Sequence, residues 1–479
     1  MLVVILSILS LIILFFSVVM IRTALFKPEE IIHTQNEEIA FDNSKATENL
    51  RELIKCKTVS RPNHEGEDDE EFAKLKELLP ELYPNVYSIC TLTEFDDHAL
   101  LYKWEGKNHD APSVFMAHYD VVAADELGWE KPPFAGILEN GVLWGRGSLD
   151  TKVTFNGAMF AADHLIAEGF IPDNDIYLAF SGCEEVNGPG ALHIVNYFEE
   201  NGITPGIVLD EGGAVMTGAF PGVRQACAYI GVAEKGMLNV EYRVKSNGGH
   251  ASAPKPHTPL GILSKACCKV ESRPFPARIS EPVKNMFNTL GAHSSFLYRM
   301  IFANRWCLGW IIDILGKRQG GDINALLRTT VAFTQASGSS ASNVIPPQAS
   351  MVSNLRLIPG DTMESALEYL KNTVNDPEVE IRALKGFNPS RISDTDCDAY
   401  RRVVSAITST WVGCIPTPYL MMQCSDSRHW GEISDKVYRF SAMDLTKEEL
   451  SSIHGNNEKI RTDCIARACE FFIRMMRSS

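Results

Sequence analysis

The feature that most constrains the fold is a short apolar run that ends in acidic residues or histidine, and this pattern occurs three times. The runs are SVFMAHYD (113–120), DIYLAFSGCEE (175–185) and GIVLDEGG (206–213). Stretches with helical periodicity, 156–168 and 190–200, lie between them. Strands that alternate with helices are typical of a sheet covered by helices on both faces. The sequence therefore predicts an α/β fold whose functional groups lie just beyond the carboxyl ends of the strands.

A different pattern occupies the middle of the chain. The segments 237–245 (MLNVEYRVK) and 349–357 (ASMVSNLRL) alternate apolar and polar residues, which favours antiparallel strands with one solvated face. An amphipathic helix and a further strand follow them. We therefore expect a second domain at 235–385, inserted between the two parts of a first domain at 46–234 and 386–479.

The first residues after Met1 form an apolar run, LVVILSILSLIILFFSVVMI (2–21), in which serine is the only polar residue. About 20 apolar residues span the hydrocarbon core of a bilayer. A cleavable signal peptide is the alternative, but no basic residue precedes the run. We expect a single membrane anchor at 1–21, followed by a tether at 22–45. Arg22 and Lys27 after the span favour a cytoplasmic body, although two charges do not fix the side of the membrane.

The charge balance limits the classes of partner. The 479 residues include 60 Asp and Glu against 45 Lys and Arg, a net charge of −15. This balance argues against a nucleic-acid partner, because binding to a phosphate backbone needs a basic surface. The 12 cysteines form no CxxC pair, so we expect reduced, buried thiols rather than a disulfide framework or a zinc ribbon.

Side chains that could bind metal ions collect at the predicted strand ends. They are two histidines and five carboxylates: His118, Asp120, Asp150, Glu184, Glu185, Asp210 and His454. Mixed imidazole and carboxylate ligands suit a pair of zinc-class ions, and manganese and cobalt share these ligand types. Two neighbouring ions need one bridging carboxylate and further ligands for each ion. One glutamate must stay free of metal to take a proton from the attacking water.

Seven separated motifs, in order along the chain, resemble those of the M20 family of co-catalytic metallopeptidases. They are MAHYDVV, GRGSLDTK, SGCEEVNGPGA, LDEGG, GGHASAP, NLRLIPG and IHGNNE. The segments WEKPPFAG, SNVIPP, SDSRHW and VYRF are similar to the branch that holds carboxypeptidase S and the PM20D1-type N-fatty-acyl-amino-acid synthase/hydrolases. The resemblance implies a co-catalytic zinc-peptidase-like α/β/α catalytic domain with an inserted α+β lid or dimerisation domain.

The resemblance also assigns a role to each motif residue. It implies two divalent metal ions with a divided set of ligands: His118 and Asp210 for one ion, Glu185 and His454 for the other, and Asp150 bridging them. A cis peptide bond between Asp150 and Thr151 belongs to the same pattern.

Four further residues receive roles outside the ligand set by the same resemblance. Glu184 is the general base, and Asp120 orients the ring of His118. His250 stabilises the oxyanion, often in the site of a partner subunit, which implies a possible homodimer. Arg356 holds the carboxylate of the substrate.

Two segments carry open questions. Gln423 and Cys424 stand where the family often has two glycines, so the substrate-carboxylate pocket is expected to differ there. The apolar and aromatic stretch 296–316 predicts one or two helices. These helices either pack in a core or dimer interface, or form a wall for an acyl group or a contact with a membrane surface.

Taken together, the motifs predict a metal-dependent amidohydrolase. Its substrate is a small peptide or an N-acyl amino acid with a free carboxylate, so the activity is that of a carboxypeptidase or an N-acyl-amino-acid hydrolase. The alternative from another class is a catalytically inactive, membrane-anchored binding or assembly module. All seven catalytic positions at the strand ends are present, which argues against that alternative.

Overall fold

The computed structural model describes residues 1–28 and 38–479. The first half of the chain contains these elements: α1 (Leu2–Leu25), α2 (Asn43–Ile54), α3 (Asp69–Leu82), α4 (Pro84–Ile89), β1 (Thr91–Phe95), β2 (Ala99–Trp104), β3 (Asn108–His118), β4 (Ile137–Glu139), β5 (Val142–Trp144), α5 (Lys152–Ala167), β6 (Asn174–Ser181), α6 (Gly190–Glu200), β7 (Ile207–Thr217) and β8 (Ala226–Glu234).

The second half continues with a longer run of helices. Its elements are β9 (Gly236–Lys245), β10 (Gly249–His250), α7 (Pro259–Ser272), α8 (Glu281–His293), α9 (Phe296–Ala303), α10 (Arg305–Gln319), α11 (Gly321–Leu327), β11 (Thr330–Ser337), β12 (Val344–Ile345), β13 (Gln348–Leu357), α12 (Met363–Val374), β14 (Glu380–Phe387), α13 (Asp398–Thr410), β15 (Ile415–Met421), β16 (Val437–Leu445), α14 (Lys447–Ser452), β17 (Lys459–Arg461) and α15 (Thr462–Arg477).

An eight-stranded sheet with the order β1-β2-β6-β3-β7-β16-β8-β15 forms the centre of the fold. The strands β6, β3, β7 and β16 are mutually parallel. Alternate residues of β3 face opposite cores: Phe115 packs with α5 and α15, whereas Val114 and Met116 pack with α6. Burial on both faces explains why the strand sequences are almost continuously apolar. The predicted α/β fold is confirmed.

A separate four-stranded antiparallel sheet has the order β11-β13-β9-β14. One face of this sheet packs against α7 and α12, and the buried residues of β9, Leu238, Val240 and Tyr242, alternate with less buried ones. The period-two pattern in the sequence thus arises from a sheet with one covered face.

The helices α8 to α11 lie within 235–385 but pack elsewhere. The side chains of Phe287 and Leu290 in α8 contact Tyr229 of β8 and Leu420 of β15 in one apolar cluster. An uncovered edge strand is a site for unwanted pairing, and these helices pack beside the edge that β15 forms. Part of the segment 281–327 thus packs beside the central sheet, and the bounds of the inserted domain stay a prediction.

The helix α1 has 24 residues and contains an 18-residue window with a mean hydropathy of 3.2, most of which is exposed. Among the described residues it is the one helix long and apolar enough to cross a membrane, a property that a signal sequence shares. The tether expected at 22–45 falls partly outside the described residues. Its ends are helical, because α1 continues to Leu25 and α2 begins at Asn43, where the side chain of Asp42 caps the first turn.

Candidate metal centre

The predicted ligands come together where the parallel strands end. His118 is the last residue of β3, and Asp150 lies in the turn before α5. Glu184 and Glu185 follow β6 in a short 3-10 turn, and His454 lies between α14 and β17. Parallel strands bring their carboxyl ends to one edge of the sheet. Residues 336 positions apart in sequence (118 and 454) therefore meet in one cleft.

Two groups of three potential ligands share Asp150. The first is His118, Asp150 and Glu211, and the second is Asp150, Glu185 and His454. In each group the ligand atoms all lie within 4.8 Å of one another. One oxygen of Asp150 lies 3.1 Å from Nε2 of His118 and the other lies 3.0 Å from Nε2 of His454. Tetrahedral zinc with bonds near 2 Å separates its ligand atoms by about 3.3 Å, so these spacings fit metal ligation.

Asp120 fixes both His118 and the turn that follows β6. Nδ1 of His118 faces the backbone carbonyl of Asp120 at 3.0 Å, which leaves Nε2 directed at Asp150. The carboxylate of Asp120 accepts hydrogen bonds from the backbone N–H groups of Glu184 and Glu185, each at 3.1 Å, and from the hydroxyl of Ser60 at 2.6 Å. Asp120 thus sets the imidazole tautomer through its backbone carbonyl and the position of both glutamates through its carboxylate.

Glu458 holds the backbone around Asp150 in place. Its buried carboxylate accepts hydrogen bonds from the backbone N–H groups of Leu149 at 2.7 Å and Asp150 at 3.2 Å. It also forms a buried ion pair with Arg146 at 2.7 Å. The peptide bond between Asp150 and Thr151 is cis, as predicted.

The two adjacent glutamates have different surroundings. The carboxylate of Glu185 lies 3.0 Å from Nε2 of His454. Across residues 1–28 and 38–479, the carboxylate of Glu184 makes no hydrogen bond or ion pair. A carboxylate beside a metal centre that is not itself committed to a partner is available for proton transfer.

Asp210, which the resemblance implies as a ligand of the first ion, is held by backbone groups. Its two carboxylate oxygens accept hydrogen bonds from the backbone N–H groups of Glu211 at 2.8 Å and Ser427 at 2.9 Å. The next residue, Glu211, places its carboxylate 3.5 Å from Nε2 of His118. The structure therefore groups Glu211, rather than Asp210, with His118 and Asp150.

The electrostatics of the site fit bound divalent cations. Burial, followed by the charge of Asp150, raises the pKa of Glu211 to about 8. Burial also raises the pKa of Glu184 well above its usual value, although the charge of His118 opposes this. Hydrogen bonds to Asp150 and Glu185 raise the pKa of His454 to about 10. Buried carboxylates are costly without positive charge, and two divalent ions would supply that charge among these ligands.

His250 and Arg356 belong to neither of the two groups. His250 is exposed at the end of β10, where its Nδ1 accepts a hydrogen bond from the backbone N–H of Ser252 at 3.1 Å. Arg356 in β13 donates to Oδ1 of Asn354 at 3.2 Å and to Sγ of Cys424 at 3.1 Å. Within one described chain, His250 is not brought to the metal ligands.

The loop with the unexpected Gln423 and Cys424 connects Arg356 to the site. Sγ of Cys424 contacts Arg356, and Ser427 of the same loop holds Asp210. Burial, followed by the charge of Glu234, raises the pKa of the Cys424 thiol to about 11. The charge of Glu184 adds to this shift, so the thiol lies within electrostatic range of the metal centre.

A third group of potential ligands, His64, Glu67 and His98, lies outside this site. Oε1 of Glu67 lies 2.8 Å from Nδ1 of His64 and 2.9 Å from Nε2 of His98. The other nitrogen of His64 lies 2.8 Å from Asp97. These are hydrogen-bond distances, and the carboxylates raise the pKa of His64, so this group is an ion-pair network.

Comparison with known proteins identifies the family. The family model described as Peptidase family M20/M25/M40 matches residues 114–478, which is most of the chain. The chain belongs to peptidase family M20. This M20 chain is 32% identical over 444 residues to N-fatty-acyl-amino acid synthase/hydrolase PM20D1 of Xenopus tropicalis, which corresponds to 91% of the chain and 86% of the relative.

Other relatives agree with this placement. The M20 chain is 30% identical over 427 residues to probable carboxypeptidase S-like 2 of Dictyostelium discoideum, covering 86% of the chain and 82% of the relative. The M20 metallo-carboxypeptidase Sso-CP2 of Sulfolobus solfataricus has the same fold, with a TM-score of 0.67, 18% identity, and coverage of 91% of this chain and 99% of the solved chain. Human carnosine dipeptidase 1 matches with a TM-score of 0.64 and 14% identity over 91% and 96%.

The predicted family is thus confirmed, and the M20 chain is a metal-dependent hydrolase of the metallopeptidase and amidohydrolase class. The alternative of a catalytically inactive module has no support among these relatives. Neither Glu211 nor Glu458 was predictable as a site residue from the sequence. Glu211 lies in the motif LDEGG and Glu458 in the motif IHGNNE. The motifs therefore indicated these two segments of the chain, but not these two side chains.

Proposed function

We propose that this M20 hydrolase cleaves amides whose amine side is an amino acid with a free carboxylate, namely N-acyl amino acids and the C-terminal bonds of peptides. The observation that carries the proposal is the sharing of Asp150 between two histidine-containing groups, with the uncommitted carboxylate of Glu184 beside them. The names of the relatives, an N-fatty-acyl-amino acid synthase/hydrolase and a probable carboxypeptidase, describe this substrate class.

Our proposed ligand set changes one residue of the sequence prediction. His118 and Glu211 would hold one ion, Glu185 and His454 the other, and Asp150 both. Neutral imidazoles and carboxylates suit zinc, which we propose as the metal. When bound, two such ions polarise the scissile carbonyl and make a water molecule acidic enough to react near neutral pH.

The chain's own residues would then move the proton. Glu184 takes a proton from the attacking water and delivers it to the leaving nitrogen. Asp120 holds the backbone of Glu184 in place through the N–H contact at 3.1 Å. Burial raises the pKa of Glu184, and this direction favours a carboxylate that accepts a proton and later releases it.

Arg356 is the proposed partner of the substrate's carboxylate. The guanidinium keeps donor groups beyond those used for Asn354 and Cys424, and a planar guanidinium can bind a carboxylate through two parallel hydrogen bonds. A second basic side chain lies close by: burial, followed by the charge of Arg356, lowers the pKa of Lys235 to about 7. The contact of Arg356 with Cys424 connects this pocket to the loop that holds Asp210.

The variant Arg356→Ala tests the substrate class and the clamp together. We expect wild-type protein to hydrolyse an N-fatty-acyl amino acid much faster than the matching carboxamide. The variant should lose roughly 30–1000-fold in kcat/KM on the free acid, about 2–4 kcal/mol, because a charge-assisted contact is lost. Turnover of the carboxamide, which never makes that contact, should change little.

The exposed arginine Arg382, which pairs with Glu241 on the inserted sheet, provides a matched control. Arg382→Ala should leave both substrates unaffected. Equal losses on the free acid and the carboxamide in Arg356→Ala would contradict the clamp. Equal rates on both substrates with wild-type protein would contradict the proposed substrate class.

The revised ligand set gives a separate prediction about metal content. Glu211→Ala should leave about one tightly bound ion per chain instead of two, because a direct ligand is removed. Asp210→Asn should retain both ions with an affinity reduced by about 10–100-fold, as expected for a residue that supports a ligand. Elemental analysis after dialysis measures both. Loss of an ion only in Asp210→Asn would restore the ligand set that the sequence predicted.

Two further features complete the proposal. His250 would serve as oxyanion donor in the site of a second subunit, because its Nδ1 accepts hydrogen bonds within its own loop and its Nε2 is left as the donor. The protein would also be anchored to a membrane by α1, whose length of 24 residues exceeds the roughly 20 that a bilayer requires.

A further inference from the structure

The helices α9 and α10 expose a large apolar surface. The hydrophobic patch consists of Phe296, Leu297, Trp306, Trp310, Ile314 and Leu315, and the exposed fractions of Leu297, Trp306 and Trp310 are 67%, 60% and 61%. Trp306, Trp310 and Ile314 follow one another at intervals of four residues and therefore share one face of α10. Exposed apolar patches of this kind mark an interaction surface.

The hydrophobic patch lies directly against α1. Nδ2 of Asn304 donates to the backbone carbonyl of Val19 at 3.2 Å and lies 3.1 Å from Oγ1 of Thr23. Val19 and Thr23 are the two buried residues of α1. Closer to the N-terminus of α1, the ring of Phe15 contacts the ring of Trp306 edge to face, with centroids 5.9 Å apart.

These contacts fix the depth of the patch relative to α1. Phe15 precedes Arg22 by seven residues, so it lies about 10 Å along the helix axis from that arginine at 1.5 Å per residue. Arg22, which donates to the carbonyl of Ala303 at 3.2 Å, belongs at the polar boundary of a bilayer. Wherever α1 crosses a membrane, Trp306 then lies at the level of the lipid acyl chains.

The polar groups around the patch suit that environment. Nε1 of Trp310 donates to the carbonyl of Cys307 at 2.9 Å, so this indole carries no unpaired N–H into lipid. The exposed residues Lys317 and Arg318 end α10, where long basic side chains can reach lipid headgroups. Helices that lie in a membrane interface typically have tryptophan on an exposed apolar face and basic residues near one end.

We propose that the hydrophobic patch inserts into one leaflet of the lipid bilayer beside α1, so that α9 and α10 hold the enzyme flat against the membrane. This inference rests on the membrane anchor of the proposed function. A bilayer, rather than a second copy of the chain, is the occupant because the patch is continuous with the exposed apolar surface of α1. The contact of Trp306 with Phe15 extends this apolar surface to about 10 Å from Arg22, a depth that lies within one leaflet.

The test uses the full chain in bilayer nanodiscs made with phosphatidylcholine whose acyl chains are brominated near their middle. Bromine quenches tryptophan only on close approach. The chain has seven tryptophans, and the double variant Trp306→Phe/Trp310→Phe keeps the five that lie outside the patch. Bromolipid should quench part of the wild-type emission and almost none of the variant's emission. Each single variant should lose part of the quenching, which provides a second measurement if the double variant does not fold.

The outcomes separate the patch from the anchor. Resistance to alkaline carbonate extraction reports the anchor independently of the patch. Carbonate-resistant protein whose tryptophans are not quenched would overturn the inference and leave the anchor intact. Wild type and double variant quenched equally would also overturn it. Emission shielded from aqueous iodide but not quenched by bromolipid would indicate a second copy of the chain instead. Release by carbonate would overturn the anchor and the inference together.

Discussion

Replacing Glu184 with glutamine should lower kcat by about 10²–10⁴-fold while the protein keeps two metal ions per chain. Glutamine preserves the shape of the side chain but cannot accept a proton, and a positioned general base contributes a factor of this size. We expect the metal content to stay intact because, among the described residues, the Glu184 carboxylate forms no hydrogen bond or ion pair with a histidine. Steady-state hydrolysis together with elemental analysis of the same preparation measures both effects.

The adjacent variant Glu185→Gln is the matched control. Its carboxylate lies 3.0 Å from His454, so its loss should reduce metal content first and activity as a consequence. Excess zinc should therefore restore part of the activity of Glu185→Gln but none of that of Glu184→Gln. If both variants lose metal to the same extent, or if Glu184→Gln stays active, the division of roles between the two glutamates is wrong.

The second large effect concerns stability. Glu458→Ala should lower the free energy of unfolding by about 3–5 kcal/mol, because it leaves the buried Arg146 without its partner. The side chains of Arg146 and Glu458 are 3% and 0% exposed. Urea unfolding in the presence of a chelator measures this change without a contribution from bound metal. The same variant should bind metal more weakly, since the backbone around Asp150 loses its acceptor.

A surface ion pair of similar length controls for the loss of charge. Arg391 and Glu432 lie 2.8 Å apart with side chains 65% and 70% exposed. Glu432→Ala should change the free energy of unfolding by no more than about 1 kcal/mol. A comparable loss in both variants would show that the buried position of Glu458 has no special importance.

The strand ends were predictable because apolar runs and acidic termini leave a strong local signal. The choice between Asp210 and Glu211 was not, because neighbouring residues of a strand point to opposite faces. The register decides which one faces the site. In the pairing of β7 with β16, Asp210 pairs with Arg439 and Gly213 with Phe440, so Glu211 and Gly212 form an irregularity in the strand. Such bulges redirect side chains, and no local sequence rule gives their position.

The role of Glu458 also lay beyond sequence reasoning. A single glutamate between polar residues looks like a surface residue, and its burial depends on Arg146, which is more than 300 positions away. The sequence shows that the stretch 296–316 is apolar and aromatic. Whether it joins a core depends on tertiary contacts, and the structure divides it: Phe302 and Ile312 are buried, whereas Trp306 and Trp310 are exposed.

The position of His454 near the end of the chain has a consequence for biosynthesis. The ribosome releases His118, Asp150 and Glu185 long before His454, and α15, which packs on α5, emerges later still. The growing chain therefore contains an acidic cleft that still lacks one histidine and part of its covering core. Metal acquisition is therefore expected to follow the synthesis of His454, and a transcript truncated before residue 454 would yield a protein in which the group of Asp150 and Glu185 lacks its histidine.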